Sequence, residues 1–89
     1  MNTQLKIENK LKENFNIFEL RIEDNSHKHK NHKKDTTGGH FNLLIVSDDF
    51  IDVPLIQRHR LIYKVLDEMI KVNIHALSIK AKTKLEYQN

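Results

Sequence analysis

The run "FNLLIVS", residues 41 to 47, constrains this chain more than any other stretch. It is apolar at alternating and at intervening positions, so both faces of an extended segment would be hydrophobic. A strand of that kind belongs in the centre of a sheet, with a neighbour on each side. Two other segments can supply those neighbours. In "IFELRIE", residues 17 to 23, Phe18, Leu20 and Ile22 alternate with Glu19, Arg21 and Glu23. That period of two marks a half-exposed strand. "IHALSIKAKT", residues 74 to 83, alternates again and places His75, Leu77, Ile79 and Ala81 on one face.

Helical periods fill the remaining segments. Ile7, Leu11 and Phe15 recur at i, i+4 and i+8 and predict a helix over residues 4 to 14, capped by Thr3. Asp52 has the chemistry of an N-cap and Pro54 suits a first turn. From there Leu55, Ile62, Val65, Leu66, Met69 and Ile70 predict one long helix ending at Asn73, with His59 inside its buried face. Thr83 and Glu86 have the T-x-x-E spacing of a capping box, which predicts a short C-terminal helix.

The predicted order is α-β-β-α-β-α, an α/β (α+β) domain with a three-stranded mixed sheet. The first two strands are joined by a loop and should pair antiparallel. The second and third are joined by a helix and should run parallel, with a right-handed crossover. Residues 1 to 89 make one domain. A chain of this length buries only about 60–65% of its unfolded surface, so its core is small.

The connection between the first two strands, residues 24 to 40, is 17 residues long, against a usual hairpin loop of about 2–5. It holds His27, His29, His32 and His40, four of the six histidines, together with Lys28, Lys30, Lys33 and Lys34. The topology gives this clustering a consequence. The loop returns to the sheet where the second strand begins, and a parallel third strand begins at the same end. His75 and the loop histidines therefore converge on one edge of the sheet.

Cysteine is absent. The chain alone cannot supply thiolates to an iron–sulfur cluster or a cysteine zinc site. Any metal held here must use imidazole, carboxylate, or ligands from a partner. The histidine spacing also invites fortuitous Zn²⁺, Ni²⁺ or Cu²⁺. The net charge of +3 permits nucleic-acid binding without demanding it. No apolar run approaches the ~20 residues that span a bilayer, and the N-terminus lacks the apolar core of a secretory signal. The expected location is the cytoplasm, or the mitochondrial matrix in a eukaryote. Ser47-Asp48-Asp49 reads as a turn, and no glycine-rich phosphate loop or cysteine nucleophile is present, so no enzyme is expected.

"SDDFIDVPLIQRHRLIYKVLDEMI" followed by "IHALSIKAKT" resembles the BolA family of small proteins, from about Ile7 to Glu86. The most specific marks are Arg58-His59-Arg60, Ile74-His75-Ala76-Leu77, the S-x-x-H of Ser26-His27-Lys28-His29, and His40-Phe41. The resemblance implies a fold like the class II KH domain. It implies a monothiol glutaredoxin partner and a [2Fe–2S] cluster shared with it, and no cluster in the isolated chain. His75 maps onto the family ligand at the start of the last strand, and His29 onto the second ligand, in the loop. His32 and His40 are alternatives to His29. The glutaredoxin cysteine and glutathione would bring the thiolates.

Some bacterial family members are instead described as DNA-binding transcriptional regulators. For that reading Arg58, Arg60 and Lys64 form the candidate patch, with Arg58 and Arg60 expected to reach solvent. No G-x-x-G clamp is present, and the loop offers no aromatic to stack a base. The sequence departs from the family in one turn: where the family carries glycine two residues after the phenylalanine, this chain has Asp52 after Phe50-Ile51.

Overall fold

The computed structural model describes residues 3–25 and 39–89. The elements run α1 (Thr3–Asn14), β1 (Glu19–Asp24), β2 (Gly39–Val46), a 3-10 turn (Asp48–Phe50), α2 (Leu55–Val65), α3 (Asp67–Val72), β3 (Ile74–Lys82) and α4 (Lys84–Gln88). The sheet order is β1-β2-β3, so the doubly apolar strand is central as expected. β1 pairs antiparallel and β3 parallel to it. The expected small α+β domain with a mixed sheet is the observed one.

The core lies between one face of the sheet and the helices. Phe41, Leu43 and Ile45 of β2 meet Ile7 and Leu11 of α1, Ile62 and Leu66 of α2–α3, and Met69 of α3. The intervening residues of β2 face the other way. His40 and Leu44 there are half-buried and Asn42 is exposed, so this second face is partly open. Among the described residues no helix is long and apolar enough to cross a membrane.

The predicted long helix is two. Leu66, with φ −98° and ψ 12°, separates α2 from α3. The apolar stripe continues across the break. Leu66 and Met69 are both buried, so the bend keeps the stripe against the sheet. Asp52 is not the N-cap. Pro54 occupies that position without a side-chain cap bond, and Asp52 lies in the left-handed region at φ 63°. Pro54 biases the preceding Val53 towards extended backbone. The reversal between the 3-10 turn and α2 therefore falls on Asp52, the position where glycine would be free of strain. Aspartate tolerates this region better than most residues.

Ser47 fixes the turn after β2. Its hydroxyl donates to the Asn16 carbonyl at 2.8 Å and accepts the Asp49 N–H at 3.0 Å, and the residue is fully buried. The Ser47-Asp48-Asp49 turn is thus structural, as read. The capping box of α4 also forms as the spacing predicts, with Thr83 and Glu86 bonding reciprocally.

Candidate metal centre

β3 begins with an irregularity. Gly39 pairs with Ile74, but the next residue of β2, His40, pairs with Ala76. One residue, His75, is extra on β3, which is a β-bulge. The bulge decides where His75 points. Ile74 takes the helix-covered face and is buried, while His75 and Ala76 are both exposed opposite His40. Counting in twos back from Ala81 through Leu77 puts His75 on the core face. That expectation fails at its last step, because the extra residue breaks the period.

The outcome is a pair of imidazoles. The rings of His40 and His75 lie with centroids 5.0 Å apart and planes tilted by 43°. Backbone bonds hold the strand ends around them. The Gly39 N–H donates to the Asn73 carbonyl at 2.9 Å, and the Asn25 N–H donates to the His40 carbonyl at 2.7 Å. Asn25 and Gly39 flank the long connection, so it leaves and rejoins the sheet beside this pair. His27, His29 and His32 lie outside the described residues.

Two imidazoles are chemically suited to ligate a metal, and among the described residues no more than two candidate ligands meet here. Two neutral imidazoles replace thiolates on one iron in some [2Fe–2S] centres, so histidine chemistry suits such a cluster. His75 is exposed, so a cluster carried on a partner's surface can reach it.

The candidate nucleic-acid residues divide. Arg60 and Lys64 are exposed one turn apart on α2. Arg58 is not: it is 5% exposed, contrary to the expectation that it reaches solvent. Its Nε donates to the Val53 carbonyl at 2.7 Å and its Nη1 to the Ala81 carbonyl at 2.9 Å. The guanidinium also meets the Glu86 carboxylate twice, at 2.7 and 3.1 Å. Those bonds from Arg58, with the Thr83 N–H behind them, lower the Glu86 pKa to about 2. The one sequence signal for this contact was the capping box, whose glutamate has oxygen lone pairs to spare. His59, beside it on α2, is half-buried as its place in the apolar stripe required.

The family model described as BolA-like protein matches residues 11–86. The chain belongs to the BolA family. Among curated proteins it is 38% identical to the DNA-binding transcriptional regulator BolA of Haemophilus influenzae, over 99% of this chain and 84% of that one. It is 43% identical over 92% of its length to the chloroplastic/mitochondrial SufE-like protein 1 of Arabidopsis thaliana, but spans only 24% of that protein. It spans 56% of the chloroplastic protein BOLA1 of the same plant. Among solved structures, BolA1 from Arabidopsis thaliana superposes with a TM-score of 0.83 at 41% identity, covering 97% of this chain and 96% of that one. The BolA domain of SufE1 from the same plant gives 0.82 at 44% identity, covering 97% and 98%. The family resemblance read from the histidine and arginine motifs is therefore correct, and the small α+β domain with a three-stranded mixed sheet is that of the family's solved members.

Proposed function

We propose that this protein is an iron–sulfur trafficking or regulatory adaptor, not an enzyme, and that it binds a [2Fe–2S] cluster jointly with a monothiol glutaredoxin. His75 is one ligand. His29 of the long connection is the second, with His32 and His40 as its alternatives. The glutaredoxin cysteine and a glutathione thiol complete the set. The observation that carries this reading is the bulge at β3. It sets His75 on the exposed face, beside His40 and at the sheet end where the histidine-rich connection returns. The absence of cysteine agrees with it, since thiolates must then come from elsewhere.

The test is to mix the metal-free protein with a glutathione-loaded glutaredoxin cluster and record visible circular dichroism. A new spectrum is expected with the parent protein. His75→Ala should abolish it while the far-ultraviolet spectrum stays native. An unchanged spectrum with the parent, or an identical shift with His75→Ala, overturns the reading.

A second reading, DNA binding in a KH-like fold, draws on the name of the Haemophilus relative and on the exposed pair Arg60 and Lys64. Without Arg58 the patch on α2 is small, so binding should be weak and electrostatic. Log affinity should then fall with log salt by about 0.9 per phosphate contacted.

A further inference from the structure

His40 and His75 are in ring contact, yet their settings differ. His75 is exposed. His40 is half-buried, and its Nε2 is shielded from solvent. A ligand has to meet an arriving cluster, whereas a shielded ring is suited to packing. Their places in the strands differ in the same sense. His40 is the first residue of the central strand past the register shift: it pairs with Ala76 of β3, and its carbonyl accepts the Asn25 N–H on the other side. His75 is the extra residue of a bulge, and bulges re-aim side chains at the cost of local ladder bonds. An exposed side chain on irregular backbone has rotamer freedom that ligation must remove.

We infer that His40 is a positioning residue: its ring braces the imidazole of His75 and sets the direction in which His75 presents its ligating nitrogen. This rests on the proposed role of His75 as a ligand and assigns His40 a part other than ligation. The brace needs three things. A flat ring at position 40 supplies the contact at 5.0 Å. The bulge turns His75 to the same face as His40. Ala76, the register partner of His40, has a one-carbon side chain that leaves space for the His75 ring beside its neighbour. A branched side chain at 76 would compete for that space without touching any candidate ligand.

Groups that orient a metal-bound histidine commonly contribute about 10–100-fold to metal affinity. The experiment compares His40→Phe, His40→Ala and Ala76→Val in two measurements. The first needs no metal: side-chain couplings and ring-to-ring nuclear Overhauser contacts of His75 by NMR in the isolated protein. The parent and His40→Phe should show one dominant His75 rotamer, and His40→Ala and Ala76→Val an averaged one. The second is mixed-cluster formation with the glutathione-loaded glutaredoxin. His40→Phe should stay within about threefold of the parent, and the other two should fall by about tenfold, the lower end of such effects. If His40→Phe keeps the rotamer but loses the cluster as fully as His75→Ala, then His40 is a ligand and the brace is wrong. If His40→Ala leaves the rotamer unchanged, the brace is also wrong. Should the parent form no mixed cluster, the adaptor reading fails, and the metal-free NMR comparison still decides the brace.

Discussion

The two ends of the sheet are built to opposite rules. At the end where β2 and β3 finish, polar groups are matched within the chain, with Arg58 and Thr83 buried. Arg58 satisfies two backbone carbonyls and one carboxylate, Thr83 and Glu86 cap α4, and Asp48 accepts the Lys84 N–H at 3.0 Å. At the end where those strands begin, the ladder is bulged and an imidazole stands in solvent. One end commits its polar groups to bonds within the chain, and the other leaves an imidazole exposed. On the adaptor reading, stability and ligation are thereby separated by the length of a strand, and damage at one end should not register at the other.

The largest test of that separation is Arg58→Ala. It removes the packing of the guanidinium against the Phe50 ring, 5.8 Å from its centroid, and leaves the Val53 and Ala81 carbonyls short of a donor. A loss of about 2–4 kcal/mol in urea unfolding is expected. Mixed-cluster formation by the folded fraction should be unchanged. A defect there at full folding would show that the ends communicate.

Acid should act through the same end. The Glu86 pKa is depressed to about 2 in the fold, from an ordinary value of 4.5. Its contribution is therefore complete above about pH 4.5 and is lost as pH falls towards about 2. Acid unfolding of the parent should show this dependence, and the Arg58→Ala variant should lose that component. A parallel acid profile in both proteins would remove Arg58 as its cause.

A smaller effect belongs to the turn before α2. Asp52→Gly relieves the left-handed backbone at φ 63° but gives the unfolded chain more freedom. The net expectation is a gain of about 0.5 kcal/mol, whereas Asp52→Val, branched at Cβ, should lose about 1–2 kcal/mol. Thermal unfolding of the two variants should move in opposite directions. The smallest effect on stability is expected from His75→Ala, within about 0.5 kcal/mol, because the side chain is exposed. A larger loss would mean that the bulge depends on the imidazole for its own structure.

Periodic patterns make most of the fold legible in the sequence. The alternation of Leu20 with Ile22 and of Leu77, Ile79 and Ala81, the apolar stripe through Ile62 and Leu66, and the T-x-x-E cap all report local geometry, and each appears where it is read, whereas Phe18 precedes β1 and is half exposed. The failures have separate causes. The sequence places His75 on one face with Leu77, Ile79 and Ala81 because counting in twos assumes an unbroken ladder, and a bulge leaves no periodic trace in its own strand. Arg58 was assigned to solvent because its partner, Glu86, lies 28 positions away in sequence and is brought near by packing alone. Asp52 was read as a cap from its chemistry, although Pro54 two residues on had already placed the reversal there. Of the site, the convergence of His75 on one sheet end followed from topology. The ring contact with His40 did not, since it depends on the single inserted residue. The assignments to His27, His29 and His32 fall outside the described residues.

The parallel pairing of β2 with β3 also governs when the site can exist. His40 and His75 meet only after the crossover through α2 and α3 has been made, a non-local closure that forms slowly compared with a hairpin. A chain emerging from synthesis carries scattered imidazoles and no paired ones. Ligand binding that requires the pair is coupled to completed folding. On the adaptor reading proposed above, an unfinished chain would lack the His40–His75 pair that the mixed cluster uses.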